Sequence, residues 1–163
     1  MKINNLRHYI KFILLTVMLV ANGSVNAEIG GDFTLKDYNN NEYKLSDSEK
    51  IKIIFFGFLN CPDICPTALS EVSSLLKKLE KLSDNIEPIF ITVDPTRDTP
   101  KLLKNYLTFF DERIVGLTGT QEQIEKVSNQ YHVYYSYQNK GEVKNYTVNH
   151  TANMYLVNKN LIF

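Results

Sequence analysis

At 163 residues with 44% hydrophobic content, the chain is sized for one globular domain with one core, and no linker or low-complexity tract divides it. Its 18 basic residues balance 18 acidic ones, which excludes the one-sided basic charge that draws a protein onto nucleic acid. No repeat period of roughly 20 to 50 residues is present, which excludes solenoids and propellers.

The first segment differs from the rest. Lys2, Arg7 and Lys11 precede the apolar run Phe12 to Ala21, and Ser24-Val25-Asn26-Ala27 brackets a cleavage point; this is the layout of an export signal. The apolar run is about half the roughly 20 residues that a membrane-spanning helix needs, so cleavage after Ala27 is expected, with a retained membrane anchor as the alternative. The expected organisation is a signal peptide or anchor over residues 1–27 and one domain over 28–163. Removing the leader takes three basic and no acidic side chains, which leaves 15 basic against 18 acidic and a mildly acidic domain. Export places the two cysteines in an oxidising compartment, where idle thiols tend to become disulfides.

Ile51 to Leu59 is a short, nearly continuous apolar run rich in aromatic and β-branched residues, as expected for a strand covered on both faces. Leu69, Val72, Leu76 and Leu79 then recur at helical spacing, with Lys77, Lys78, Glu80 and Lys81 mainly on the other side. Ile86 to Val93 reads as a second strand, Pro100 to Phe110 as a helix, and Ile114 to Leu117 as a third strand. Thr120 opens another helix, with Gln123 three positions on completing a capping box. Strands alternating with helices imply βαβ units and a mainly parallel or mixed sheet flanked by helices, an α/β fold. After about residue 133, Val133 to Tyr137, the turn-like Gln138-Asn-Lys-Gly141 and Val143 to Val148 read as a hairpin inserted before a last strand, Asn153 to Val157. The apolar end at Leu161-Ile162-Phe163, with no closing helix, leaves an edge that is expected to be unpaired or uncovered.

Both cysteines lie in Gly57-Phe-Leu-Asn-Cys-Pro-Asp-Ile-Cys-Pro66, four positions apart and each followed by proline. A residue before proline is pushed away from helical geometry, so either Cys65 caps a helix that starts at Pro66, with Cys61-Pro-Asp-Ile64 closing a turn, or Cys61 caps one that starts at Pro62. Both versions put the two sulfurs at a helix N-terminus, whose partial positive charge favours thiolate over thiol. As a structural staple the pair is weak: bridging 61 to 65 closes a loop of about five residues, for roughly 2 kcal/mol. A strand-to-helix turn is also where α/β folds put their sites, which disfavours two inert thiols. Dithiol redox exchange and metal binding remain. Thiolates select Cu(I) or zinc, but two sulfurs meet few coordination demands, so a third ligand decides between them.

Of three histidines, His8 lies in the leader and His132 follows a helical stretch, where a helix C-terminus welcomes positive charge. His150, in Tyr146-Thr-Val-Asn-His-Thr-Ala-Asn-Met-Tyr-Leu-Val157, enters the final strand; alone, it would more often be a hydrogen-bonded or surface residue than a ligand. Taken together, Cys61-Pro-Asp-Ile-Cys-Pro66, Val93-Asp-Pro-Thr-Arg-Asp-Thr-Pro100 and His150-Thr-Ala152 ahead of Met154-Tyr-Leu-Val157 resemble the Sco/SenC family of copper-binding proteins, from about Ile29 to the end. The resemblance implies a thioredoxin-like fold on the exported side of a membrane, in the periplasm or at the outer face of an inner membrane. It also implies copper, as Cu(I) or Cu(II), held by Cys61, Cys65 and His150, and a role in building the binuclear copper centre of cytochrome c oxidase subunit II. That role is copper donor, thiol reductant or both, with subunit II and a thiol reductant or another copper donor protein as partners.

Asp94, Arg97 and Asp98 stand where a strand ends and an α/β crevice opens. Turn formation and an Asp-Arg pair beside the Thr99 cap account for them; the sharper expectation is that one carboxylate tunes the metal ligands from behind without binding the ion. Several positions depart from the family pattern. Leu59-Asn60 stand where Thr-His is common, Asn149 stands where Asp often precedes the histidine, and the end at Phe163 falls short of the usual further strand and helix, which suggests a truncated C-terminus. The rival function is a metal-independent thiol-disulfide oxidoreductase in which Cys61 and Cys65 are the catalytic redox pair; its usual CxxC spacing is one residue shorter than the spacing here. A third reading is an inactive exported binding domain left by truncation.

Overall fold

The computed structural model describes residues 29–139 and 146–161; the expected leader and cleavage point and the last two residues lie outside them. Among the described residues no helix is long and apolar enough to cross a membrane. In chain order the elements are β1 (Thr34–Asp37), β2 (Glu42–Lys44), a 3-10 turn at Leu45–Asp47, β3 (Ile51–Gly57) and α1 (Ile64–Leu79). After a 3-10 segment at Glu80–Asn85 come β4 (Ile86–Thr92), α2 (Pro100–Thr108), β5 (Val115–Thr118) and α3 (Gln121–Gln130), then β6 (Tyr135–Gln138), β7 (Thr147–His150) and β8 (Met154–Val157).

The main sheet runs β2-β1-β5-β4-β3-β8. Its centre is parallel, β3 on β4 and β4 on β5, and its flanks are antiparallel, β8 on β3 and β1 on both β5 and β2. This is the mixed-sheet, thioredoxin-like α/β arrangement expected from the sequence, and β6 and β7 pair separately as a two-stranded sheet. Six of the seven β3 residues are buried, because the strand is covered on both faces. Ile53, Phe55 and Gly57 alternate onto one face, where Ile53 packs with Val72 and Leu76 of α1. Ile54 and Phe56 face the other side, where the Phe56 ring lies 5.7 Å from Tyr131 and 6.0 Å from Tyr155. Lys52, at 0% exposure, is the one charged side chain on this strand, and its ammonium donates to the Ser48 carbonyl.

Thr120 and Gln123 form the expected capping box at the start of α3, and Thr99 caps α2 ahead of Pro100. Three readings are corrected. The N-terminal hairpin β1–β2 was not foreseen, because its strands are mostly polar; Asp37 builds its turn by accepting from the Asn39 and Asn41 N–H groups at 2.8 and 2.9 Å. The later hairpin pairs Gln138 with Thr147, so its connection is longer than a tight turn at Gln138–Gly141; residues 140–145 lie outside the described region. Its second arm begins at Thr147, and His150 ends this arm instead of entering β8. At the edge of the main sheet, Met154 and Leu156 of β8 are 41% and 63% exposed; two of the three residues of the apolar end, 162 and 163, lie outside the described region.

Candidate metal centre

The sheet delivers β3 to a sharp reversal at Gly57. The chain turns back over Phe58 to Cys61, closed by the Cys61 N–H donating to the Phe58 carbonyl at 3.3 Å, and α1 begins at Ile64 with Asp63 as its cap residue. This start lies between the two alternatives read from the prolines. Pro66 sits in the first turn, where N–H groups have no intrahelical partner, so its missing donor costs nothing. Cys65 is helical despite preceding proline, because its N–H is taken by Cys61 Sγ at 3.4 Å and its own sulfur is packed into the core. The two sulfurs do lie at a helix N-terminus, as expected.

The expected bias toward thiolate fails for Cys65. Burial pushes the Cys65 thiol well up, with Cys61 adding to the rise, and the hydrogen bond from the Phe58 backbone only partly opposes it. Desolvation outweighs the helix dipole here, because Cys65 is fully buried whereas the dipole acts through a partly solvated first turn. In the metal-free chain Cys65 is a thiol.

His150 arrives from the other direction, at the end of β7 opposite Tyr135. Its Nδ1 lies 3.0 Å from the Thr151 carbonyl. A carbonyl only accepts, so Nδ1 carries the proton and Nε2 presents its lone pair, 3.5 Å from Cys65 Sγ. Burial lowers the pKa of the ring, which keeps it neutral and able to ligate. The rings of Phe58 and Phe55 stand edge-on to it at 5.7 and 6.2 Å and hold its plane. Cys61 Sγ, Cys65 Sγ and a ring nitrogen of His150 all lie within 4.8 Å of one another. Bond lengths of about 2.0 to 2.3 Å for nitrogen and sulfur on a borderline ion place trigonal ligands about 3.8 Å apart, so this donor set fits one soft or borderline ion with little adjustment. Cys61 and His150 are half-buried and Cys65 is buried, so the site opens on the side of Cys61 and His150.

Asp94, Arg97 and Asp98 lie outside the three-residue donor cluster found among the described residues; they tie together the two segments that carry it. Asp98 Oδ2 accepts from the Leu59 N–H at 3.0 Å and from Thr92 Oγ1 at 2.6 Å, which fixes the loop into Cys61. Asp94 accepts from Arg97 Nε and, at 2.6 Å, from the Tyr146 hydroxyl. Arg97 also donates to the Tyr146 carbonyl at 2.8 Å, four residues before His150. Sequence reading missed Tyr146, whose role depends on the approach of two distant segments, and Gly57, where an added Cβ would stand 2.9 Å from Cys65 Sγ. The signal for Gly57 was its place at the end of a buried strand, directly before the cysteine loop. His132 is exposed, beyond α3 at φ 53°, and takes no part in the cluster.

The SCO1/SenC family model matches residues 21–163. The chain belongs to the SCO1/SenC family. An SCO2-like protein of Rickettsia felis is 42% identical over 138 residues, an overlap of 83% of this chain and 67% of the relative; the chain thus spans about two thirds of that protein. Bradyrhizobium japonicum ScoI, solved with copper bound, superimposes with a TM-score of 0.77 at 42% identity, covering 83% of this chain and 86% of that one. BsSco, described as a member of the Sco family of cytochrome c oxidase assembly proteins with a disulfide switch, is more distant, at 26% identity and a TM-score of 0.54 over 66% of each chain. In this SCO1/SenC chain, both cysteines of the cluster are free thiols.

Proposed function

We propose that this chain is a copper carrier that holds one ion through Cys61, Cys65 and His150 and passes it to the binuclear copper centre of cytochrome c oxidase subunit II. The observation that carries the reading is the convergence of two sulfurs and an imidazole nitrogen within 4.8 Å from segments 85 positions apart in sequence. Two thiolates suit soft Cu(I), and an imidazole lets the same site accept Cu(II). Copper is cargo here, so the site must also release it. The half-buried Cys61 and His150 give an acceptor access to the ion from one side, while buried Cys65 stays with the fold. The copper-bound ScoI relative and the membership of BsSco among cytochrome c oxidase assembly proteins support the assignment. Export through the leader, to the periplasm or the outer membrane face, is part of the same proposal, since a carrier must meet subunit II where its copper domain lies.

A second reading has its own observation. Cys61 is the more accessible thiol and Cys65 the buried one, an asymmetry that suits dithiol exchange, in which the pair closes to a disulfide and gives up two electrons and two protons to a disulfide of the partner. Mixing the copper-loaded chain with the metal-free soluble domain of subunit II tests the first reading: the spectrum of a binuclear copper centre appears there only if copper is handed over. Turnover of a disulfide substrate by the metal-free reduced chain, with no copper transfer, would instead favour the second.

A further inference from the structure

The β6–β7 hairpin closes its open end with a side chain in place of a backbone group. Tyr135 stands opposite His150, so Tyr134 and Thr151 form the next pair outward. In an antiparallel ladder, pairs that exchange two backbone hydrogen bonds alternate with pairs that exchange none. The Thr151 N–H donates to the Tyr134 carbonyl at 2.8 Å, which marks 134 and 151 as a bonded pair. The return bond of such a pair would run from the Tyr134 N–H to the Thr151 carbonyl. Here the Tyr134 N–H donates instead to the Thr151 hydroxyl at 3.1 Å, and that hydroxyl donates back to the Tyr134 carbonyl at 3.3 Å.

The exchange has a beneficiary. Spared from the ladder, the Thr151 carbonyl is the atom that accepts from His150 Nδ1 at 3.0 Å. A ladder carbonyl lies in the plane of the strands, whereas the side chain of the preceding residue stands out of that plane, so one orientation of the 151 carbonyl does not serve both Tyr134 and the imidazole. Serine and threonine hydroxyls are suited to this substitution, because they offer the backbone an alternative to sheet bonding.

We propose that the Thr151 hydroxyl is a positioning group for His150: by taking the Tyr134 N–H in place of the Thr151 carbonyl, it leaves that carbonyl turned onto the imidazole and fixes the ring with Nε2 toward the sulfurs. The inference rests on reading Cys61, Cys65 and His150 as a metal site, although the placement of the ring does not. Thr151 never touches the ion. Partners that orient a ligating imidazole are worth about 10- to 100-fold in metal affinity.

Thr151→Val keeps the branched shape and suits a strand while removing the hydroxyl; Thr151→Ser keeps the hydroxyl and removes the methyl group. In the metal-free Thr151→Val chain the Tyr134 N–H should turn to the carbonyl of residue 151, seen as a scalar coupling across that hydrogen bond that wild type lacks. Nuclear Overhauser contacts from the His150 ring to Phe58 and Phe55 should weaken at the same time. This variant should hold Cu(I), and separately Zn(II), about tenfold more weakly in chelator competition, and Thr151→Ser should match wild type in all three readouts. A merely structural Thr151 would change the unfolding temperature and leave the coupling and the ring contacts unmoved. Wild-type ring contacts and affinity in Thr151→Val would overturn the proposal, as would a Thr151→Ser chain no better than Thr151→Val. If wild type holds neither ion through His150, the metal reading fails by itself, and the ring contacts of metal-free Thr151→Val still decide the role of the hydroxyl: weakened, they uphold it; kept, they overturn it.

Discussion

The Arg97 guanidinium lies 3.6 Å over the ring of Tyr146 and donates to the carbonyl of the same residue at 2.8 Å. The Tyr146 hydroxyl in turn donates to Asp94, the ion-pair partner of Arg97. This closed set fastens β7, with His150 at its end, to the loop after β4. Among the described residues the hairpin has no strand pairing to the main sheet, and side-chain contacts such as the Tyr137 hydroxyl donating to the Val93 carbonyl at 2.7 Å help to position it.

Tyr146→Phe should therefore uncouple the hairpin. It leaves a buried Asp94 oxygen without its donor and lowers stability by about 1.5 to 3 kcal/mol, which urea unfolding measures. Copper affinity should fall three- to tenfold through loss of His150 placement, with both cysteines still able to bind. Wild-type affinity in this variant would show that His150 is held by other means.

Gly57 predicts a packing conflict aimed at one ligand. A Cβ there would stand 2.8 Å from Phe90 Cε2, 2.9 Å from Cys65 Sγ and 3.1 Å from Phe55 Cε1. The sulfur and both rings are buried in the core and have little room to retreat. Gly57→Ala should lower stability by about 1 to 3 kcal/mol and weaken metal binding by displacing Cys65. Denaturant midpoints and a chelator competition read both effects, and a variant as stable and as tight as wild type would show that the rings yield.

How much of this was legible in the sequence depended on the range of the interaction. The apolar run of β3, the helical spacing of Leu69, Val72 and Leu76, and the Thr120–Gln123 capping box are local patterns, and each appears where it was read. The start of α1 was misplaced by about two residues because two competing prolines each suggested a boundary, and the actual start was settled by a sulfur accepting the Cys65 N–H. Around strands β1 and β2 runs only a brief alternation, Phe33-Leu35 and Tyr43-Leu45, among polar residues, and the Asp37 turn joins them. That His150 meets the cysteines followed only from the family resemblance. Nothing local in Tyr146 announced its neighbours, because it acts across tertiary contacts. The protonation of Cys65 was read with the wrong sign, since the sequence shows the helix end but not the depth of burial.

Asp98 gives a pH dependence with a definite sign. Burial raises its pKa from the ordinary 3.8 to about 6, against hydrogen bonds from Thr92 and Leu59 and the nearby Arg97 charge, which lower it. The folded state holds this proton more tightly than the unfolded chain does. The contribution to stability is therefore full below about pH 4 and is lost as pH rises through about 6, a change of roughly 2 to 3 kcal/mol. Asp98→Asn cannot titrate and keeps an acceptor for the Leu59 N–H. Urea unfolding from pH 4 to 7 should show a smaller loss of stability in the variant than in wild type; parallel curves would contradict the assignment.

The central claim is that three donors grip one ion. Anaerobic Cu(I) titration of the reduced chain, set beside the same titration of His150→Ala, tests it most directly. The account predicts one ion per wild-type chain and an affinity lowered at least tenfold in the variant, with both thiols still consumed. One ion bound equally tightly by both proteins would contradict it, for the imidazole would then stand beside the copper without holding it.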